Sequence, residues 1–187
     1  VKVNDFPALQ QDAYTRYKAA AERLVQQAQP ISHRVILRPA LVYGPGHRGN
    51  LQRMTQAIRS GRFPPLPEIG NRRSMVDVRD LARAALLAAE DTRAHNKTYV
   101  VTDGQIYSTR QIYLQVRQSL GYPAPRWAVP LKALQLVAAI GDGVGRLLGR
   151  RMPLDSEQLQ RLMGSAEYDG QPLMRDLGFQ PRYSFAS

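Results

Sequence analysis

The chain has 187 residues, enough for one domain with a core of its own. Apolar residues make up 43% and charged residues 22%, a globular balance that excludes wholesale disorder. The absence of cysteine excludes disulfides, thiolate metal sites and a cysteine nucleophile, and 26 Lys and Arg against 15 Asp and Glu give a net charge of +11.

Only Lys2, Lys18, Lys97 and Lys132 are lysines; the other cations are arginines, whose planar fork suits phosphate. They are dispersed and follow no zinc-finger, RNA-recognition or basic-zipper spacing, so nucleic acid is not the expected partner. No signal peptide is expected, and no apolar run of the sequence is long enough to cross a bilayer. The expectation is a cytoplasmic protein with no membrane partner and no metal.

Residues 1–10 read as loop, and a helix is predicted from Gln11 to about Ala28, with Leu24 and Val25 facing inward and Pro30 as its end. Within it Tyr14 and Lys18 stand four residues apart, one turn up the same face. A neighbouring ammonium stabilises a phenolate, so such a tyrosine can move protons well below its ordinary pKa of about 10. The spacing equally describes an exposed aromatic and a solvated amine.

His33 to Arg38 reads as a short strand of the kind buried in a parallel sheet, and Pro39 to Gly49 as a loop. Asn50 is expected to cap a helix running to Ser60, with Gly61 as its stop. Phe63-Pro-Pro-Leu-Pro67 reads as an extended surface stretch. Met75 to Val78 is a predicted strand, and Asp80 precedes an amphipathic helix from Leu81 to about Ala89. Thr98 to Thr102 is another strand, and Ser108 or Thr109 begins a helix that Gly121 closes.

From Val129 to about Leu148 the chain is apolar and helical, interrupted by Gly141, Gly143 and Gly145. Lys132, Asp142 and Arg146 argue against its insertion in a membrane and for packing on a neighbouring domain. Two short helices follow, near Ser156 to Met163 and Gln171 to Leu177. Alternating helices and strands predict an α/β sheet, with too few strands for a complete doubly wound one.

Gly44-Pro-Gly46-His-Arg-Gly49 has the glycine spacing of a dinucleotide-binding turn. Pro45 lacks an N–H in the middle of that cradle, and Pro64, Pro65 and Pro67 stand where a second strand should begin. The string therefore reads as a substrate-side loop.

Four segments in order carry a resemblance. Tyr14 to Lys18 with Ala21-Glu22, Arg38-Pro-Ala-Leu-Val-Tyr-Gly-Pro-Gly46, Arg73-Ser-Met-Val-Asp-Val-Arg-Asp80 and Leu177-Gly-Phe-Gln-Pro181 resemble the later half of an extended short-chain dehydrogenase/reductase. The similarity is to the nucleotide-sugar epimerase, dehydratase and 4-keto reductase group, closest to its polysaccharide-type 4-epimerases and 4-keto reductases. The resemblance implies an α/β fold: a partial Rossmann-type parallel sheet lacking its N-terminal strands, plus a mostly helical C-terminal substrate-binding region. The expected division is 1–62 for the dinucleotide-binding part and 63–187 for the substrate region, with one or two segments of the latter returning to the sheet.

The resemblance also implies site roles. Tyr14 is the acid/base, and Lys18 lowers its pKa and bonds the nicotinamide ribose; Pro39 and Ala40 line the nicotinamide side. Asn50 and Arg73 meet the diphosphate, with Arg72 sharing that role or merely solvated. The backbone from Leu66 to Glu68 meets the base, and Asp169 the nucleotide ribose. Tyr17 is expected to pack, Arg38 to form an ion pair or contact ligand, and Asp80 to be a cap or structural residue.

The implied cofactor is NAD or NADP, although the glycine-rich turn that holds it is absent from this sequence. The implied partners are a nucleotide-diphosphate sugar, the missing N-terminal half of the enzyme and, in a homodimer, a second copy. A fragment of a longer enzyme, a sheet completed by another chain and an inactive truncated product all remain open. Leu41 departs from the asparagine that many members place there, and the acid pair of the dehydratases is missing beside Tyr14, which favours epimerisation or reduction. A steroid- or flavonoid-type reductase and a non-catalytic nucleotide- or anion-binding module are the alternatives.

Overall fold

Short apolar runs separated by helices pair as parallel strands, because each return to the sheet crosses over through a helix. The structure, a computed structural model, describes residues 13–46, 49–149 and 155–185, without the side chains of 13–15 and 148. In chain order the elements are α1 (Ala13–Gln27), β1 (Val35–Pro39), β2 (Leu41–Tyr43), α2 (Asn50–Arg59), β3 (Arg73–Asp77) and α3 (Val78–Glu90). Then come β4 (Lys97–Val101), β5 (Ile106–Tyr107), α4 (Thr109–Ser119), α5 (Leu131–Leu148), α6 (Ser156–Met163) and α7 (Gln171–Leu177).

The chain divides into two units: Val1–His47, Ser74–Ile106 and Glu167–Ser187 form the first, and Arg48–Arg73 and Tyr107–Ala166 the second. Residues 48–62, expected with the dinucleotide-binding part, therefore group with the second unit instead.

In the first unit β1 runs parallel to β4, from Val35 opposite Lys97 to Pro39 opposite Val101. A second sheet has the order β2-β3-β5, with Leu41 opposite Met75 and Tyr43 opposite Asp77. The core gathers Val76, Tyr99 and Val101 from the strands, Ala84 and Ala88 from α3, and Leu173, Leu177 and Phe179 from the C-terminal segment.

Asp77 ends β3 and caps α3, its Oδ1 accepting the Arg79 N–H. Asp80, expected as a possible cap, lies inside the helix and is wholly buried. Its Oδ1 accepts from Arg83 Nη1 at 2.7 Å, and its Oδ2 from the backbone N–H groups of Arg182 and Tyr183 at 2.8 and 2.9 Å. It is a structural anchor for the C-terminal segment.

In the second unit Ser108 and Gln111 form a capping box that starts α4. Asn71 binds the same helix start, accepting from Thr109 N at 3.0 Å and donating to Thr109 Oγ1 at 2.6 Å. Phe63 stacks on Tyr113 with ring centroids 5.7 Å apart. Leu66 is buried, so the stretch expected at the surface is in part core.

Other expectations are corrected here. Residues 41–43 form a strand rather than loop. Gly49 takes the position before α2, with φ 95° and ψ −143°, a conformation reserved to glycine; Asn50 is the first helical residue and not the cap. The glycines of α5 do not interrupt it, and Gly149 ends it in a left-handed conformation. On α1, Leu24 and Val25 are exposed, as is Tyr17 at 77%. The side of α1 turned to its unit is the one through Ala19 and Glu22, small and charged rather than large and apolar.

Candidate active site

Tyr14, Lys18 and Glu22 follow one another at intervals of four residues and form one stripe along α1. Glu22 is tied to β1: Arg38 Nη2 stands 2.5 Å from its Oε1, and Arg38 Nε donates to its Oε2 at 3.2 Å. Both side chains are largely sheltered, at 26% and 19% exposure. This two-point contact ties α1 to β1. Of the two expectations for Arg38, the structure shows the ion pair. Lys18 lies on the exposed side of α1; the Tyr14 side chain lies outside the described residues.

Arg38 occupies the carboxyl end of β1, where Pro39 is exposed and Ala40 is buried. Ala40 N donates to Val101 O at 3.0 Å, extending the β1–β4 pairing by one bond. Carboxyl ends of parallel strands are where open α/β sheets bind ligands. Tyr43 is buried, its hydroxyl donating to Tyr183 O at 3.2 Å and its ring edge-on to Phe185 at 5.0 Å. Gly44 follows with φ 123°, and a Cβ there would meet Val78 Cγ1 at 2.9 Å. An ammonium on α1 and a small, uncharged strand end fit the nicotinamide side of a dinucleotide. The residues that would hold its pyrophosphate are not found among the described ones.

The substrate candidates Asn50, Leu66, Glu68, Arg72 and Arg73 all belong to the second unit, and Asp169 to the first. Asn50 is exposed on the first turn of α2. Arg73 is bound to protein: its Nε donates to Thr109 Oγ1 at 3.0 Å, and its Nη2 to the carbonyls of Leu162, at 3.0 Å, and Arg161. It clasps the end of α6 to the start of α4. Arg72 donates its backbone N–H to Ser165 Oγ, and Ala166 N returns a bond to Arg72 O at 2.8 Å.

Glu68 Oε1 accepts the N–H groups of Ile69 and Gly70, each at 3.0 Å, and its Oε2 accepts from Ser108 Oγ at 2.9 Å. Partial burial pushes its carboxyl upward, but the bonds from Gly70, Ser108 and Ile69 and the nearby Arg110 outweigh that and hold it below its ordinary value. The Leu66 carbonyl accepts from Arg110 Nη1. Asp169 Oδ1 accepts from Gln171 N at 2.9 Å. Sequence reasoning took Thr109 only as a possible helix start and gave Asn71 no part in ordering this region, where the two form a buried pair.

UDP-glucose 4-epimerase of Vibrio cholerae is 29% identical over 174 residues, covering 91% of this chain and 49% of the relative. 2-Alkyl-3-oxoalkanoate reductase of Stenotrophomonas maltophilia is 28% identical over 181 residues, covering 93% and 55%. The chain thus spans about half the length of the curated relatives it matches. Among solved structures, MoeE5 in complex with UDP-glucose and NAD superposes with a TM-score of 0.65 at 20% identity, over 98% of this chain and 55% of that one. The family model described as the NAD dependent epimerase/dehydratase family matches residues 4–102. With that match over more than half its residues, the chain belongs to the NAD dependent epimerase/dehydratase family, among the extended short-chain dehydrogenase/reductases its four motifs resemble.

Proposed function

We propose that this chain is the part of an NAD(P)-dependent nucleotide-sugar epimerase or 4-keto reductase that carries its proton-transfer pair and receives its substrate. The observation that supports the reading is the Glu22–Arg38 contact, which ties α1, the helix of Tyr14 and Lys18, to β1 near its carboxyl end. The dinucleotide, when bound, supplies hydride exchange at the sugar C4. Tyr14 takes the proton from the C4 hydroxyl as a phenolate, or returns it to the ketone oxygen as a phenol. The Lys18 ammonium favours that phenolate and donates to a hydroxyl of the nicotinamide ribose. Pro39 and Ala40 offer the nicotinamide ring a face without charge. Asn50, on the first turn of α2, stands beside backbone N–H groups that suit a diphosphate.

The test is Tyr14→Phe in the complete enzyme, with a UDP-sugar as substrate. The expected loss in kcat is on the order of 10²- to 10⁴-fold, with dinucleotide binding retained. Full activity in this variant rejects the mechanism. Interconversion without net consumption of NADPH assigns an epimerase, and stoichiometric consumption a reductase.

A second reading is a reductase of a non-sugar ketone. Arg73 favours it, since a guanidinium already bound to Thr109, Arg161 and Leu162 is not set to grip a diphosphate, and Leu41 offers no amide to one. Oxidation of NADPH with a 3-oxoalkanoate but not with UDP-sugars would select it.

A further inference from the structure

We propose that the outward face of α5 is a docking surface for an anionic phospholipid bilayer, on which the second unit rests without spanning it. The helix is apolar on two sides. Leu134, Ala138 and Gly141 turn inward and are buried. On the opposite side Leu136, Ile140 and Leu147 are 63%, 57% and 86% exposed, and Val137 and Val144 widen the same stripe. A helix at a water-facing surface ordinarily presents polar residues there.

What borders the stripe decides the occupant. Lys132 and Arg146 lie along one flank, both exposed, and Arg126 and Trp127 stand exposed just before the helix. The one acidic residue of α5, Asp142, is half-buried and turned to α6, its Oδ1 accepting the Ser156 N–H at 3.1 Å. Arg146 lies near it, and Glu157 of α6 is paired with Arg161 at 2.6 Å. The border of the apolar stripe is therefore cationic, within a chain of net charge +11.

Trp127 is the only tryptophan of the chain and is 64% exposed. An indole beside arginine at the end of an apolar stripe has the character of residues at a headgroup boundary. A second copy of the chain would set one cationic border against another, whereas anionic headgroups neutralise it. Among the described residues no helix is long and apolar enough to cross a membrane, so the contact is one of lying on the surface. Under this proposal the expectation of no membrane partner narrows to that of no membrane-spanning helix.

The test is co-sedimentation of the protein with phosphatidylcholine vesicles, and with vesicles in which roughly a third of the lipid is phosphatidylglycerol. Binding at least about tenfold tighter to the anionic vesicles is expected, weakening with salt and accompanied by a blue shift of Trp127 emission. The double variant Leu136→Asp, Ile140→Asp should lose this binding at least about tenfold while keeping its urea midpoint, because both positions are exposed. Three outcomes overturn the proposal: no binding to anionic vesicles, binding that survives the double variant, or light scattering that shows a dimer which the double variant dissolves.

Discussion

Glu22 shows how a cheap spacing acquires meaning. A tyrosine and a lysine four residues apart on a helix say little until something fixes where that helix points. Here the next member of the same stripe is bound at two points to Arg38, which ties the helix to β1. Glu22→Gln removes the charge that Arg38 binds at two points and weakens the tie of α1 to β1. In the complete enzyme we expect kcat to fall about tenfold with the KM for substrate nearly unchanged, as for lost alignment rather than lost binding. An equal rise in KM would place the pair in substrate binding instead. Asp80 is the structural counterpart: wholly buried, it satisfies Arg83 and two backbone N–H groups at once. Asp80→Ala orphans the N–H groups of Arg182 and Tyr183 and leaves Arg83 Nη1 its bond to the Gln180 carbonyl, and a loss on the order of 3 kcal/mol in urea unfolding is expected. A structural role for Asp80 was legible, but its partners were not, because Arg182 and Tyr183 lie 102 and 103 residues further along the chain. The same holds for Arg73, whose acceptors lie 36 and 89 residues away.

At the scale of elements, the cap of α3 carries a pH dependence. The Asp77 carboxyl is held below its ordinary value of 3.8, chiefly by the bond from the Arg79 side chain, which outweighs the upward push of burial. A depressed carboxylate contributes stability that is fully present above the unfolded value and lost as pH falls through the folded one. Asp77→Asn keeps a capping side chain but loses the charge. The variant should be less stable than the parent above about pH 5, with the gap closing towards about pH 2, as followed by thermal unfolding across that range. A gap independent of pH would remove the charge from the account. The helices were legible because an apolar period of 3.6 over two or more turns is hard to produce otherwise. The strands β2 and β5, of three and two residues, are too short to leave any alternation in the sequence. The glycines of α5 misled for a different reason: each costs about 1 kcal/mol in a helix, less than the inward burial of Leu134 and its neighbours returns.

Across the whole molecule, neither unit is a continuous piece of chain, and this sets what can be cut. A boundary drawn after β4 and β5 looks natural from the strand pattern, yet the first unit is not complete there. Leu173, Leu177 and Phe179 return to its core, and Asp176 accepts from Lys97 Nζ at 2.8 Å and from the Tyr99 hydroxyl at 3.1 Å. Gly170 passes so close to β4 that a Cβ on it would lie 2.5 Å from Thr102 Oγ1. Burial of the three apolar side chains is worth roughly 1.5 to 3 kcal/mol each, comparable in sum with the whole stability of an ordinary domain. Loss of the segment would in addition strand the buried Asp80 carboxylate without its backbone donors. A chain ended after Ala166 should therefore lose its cooperative urea transition and bind a hydrophobic dye, even though every strand of the parallel sheets is still present. A sharp transition retained in that truncated protein would show that β1, β4 and α3 hold together unaided, and would make the C-terminal segment an accessory to the fold rather than a part of its core.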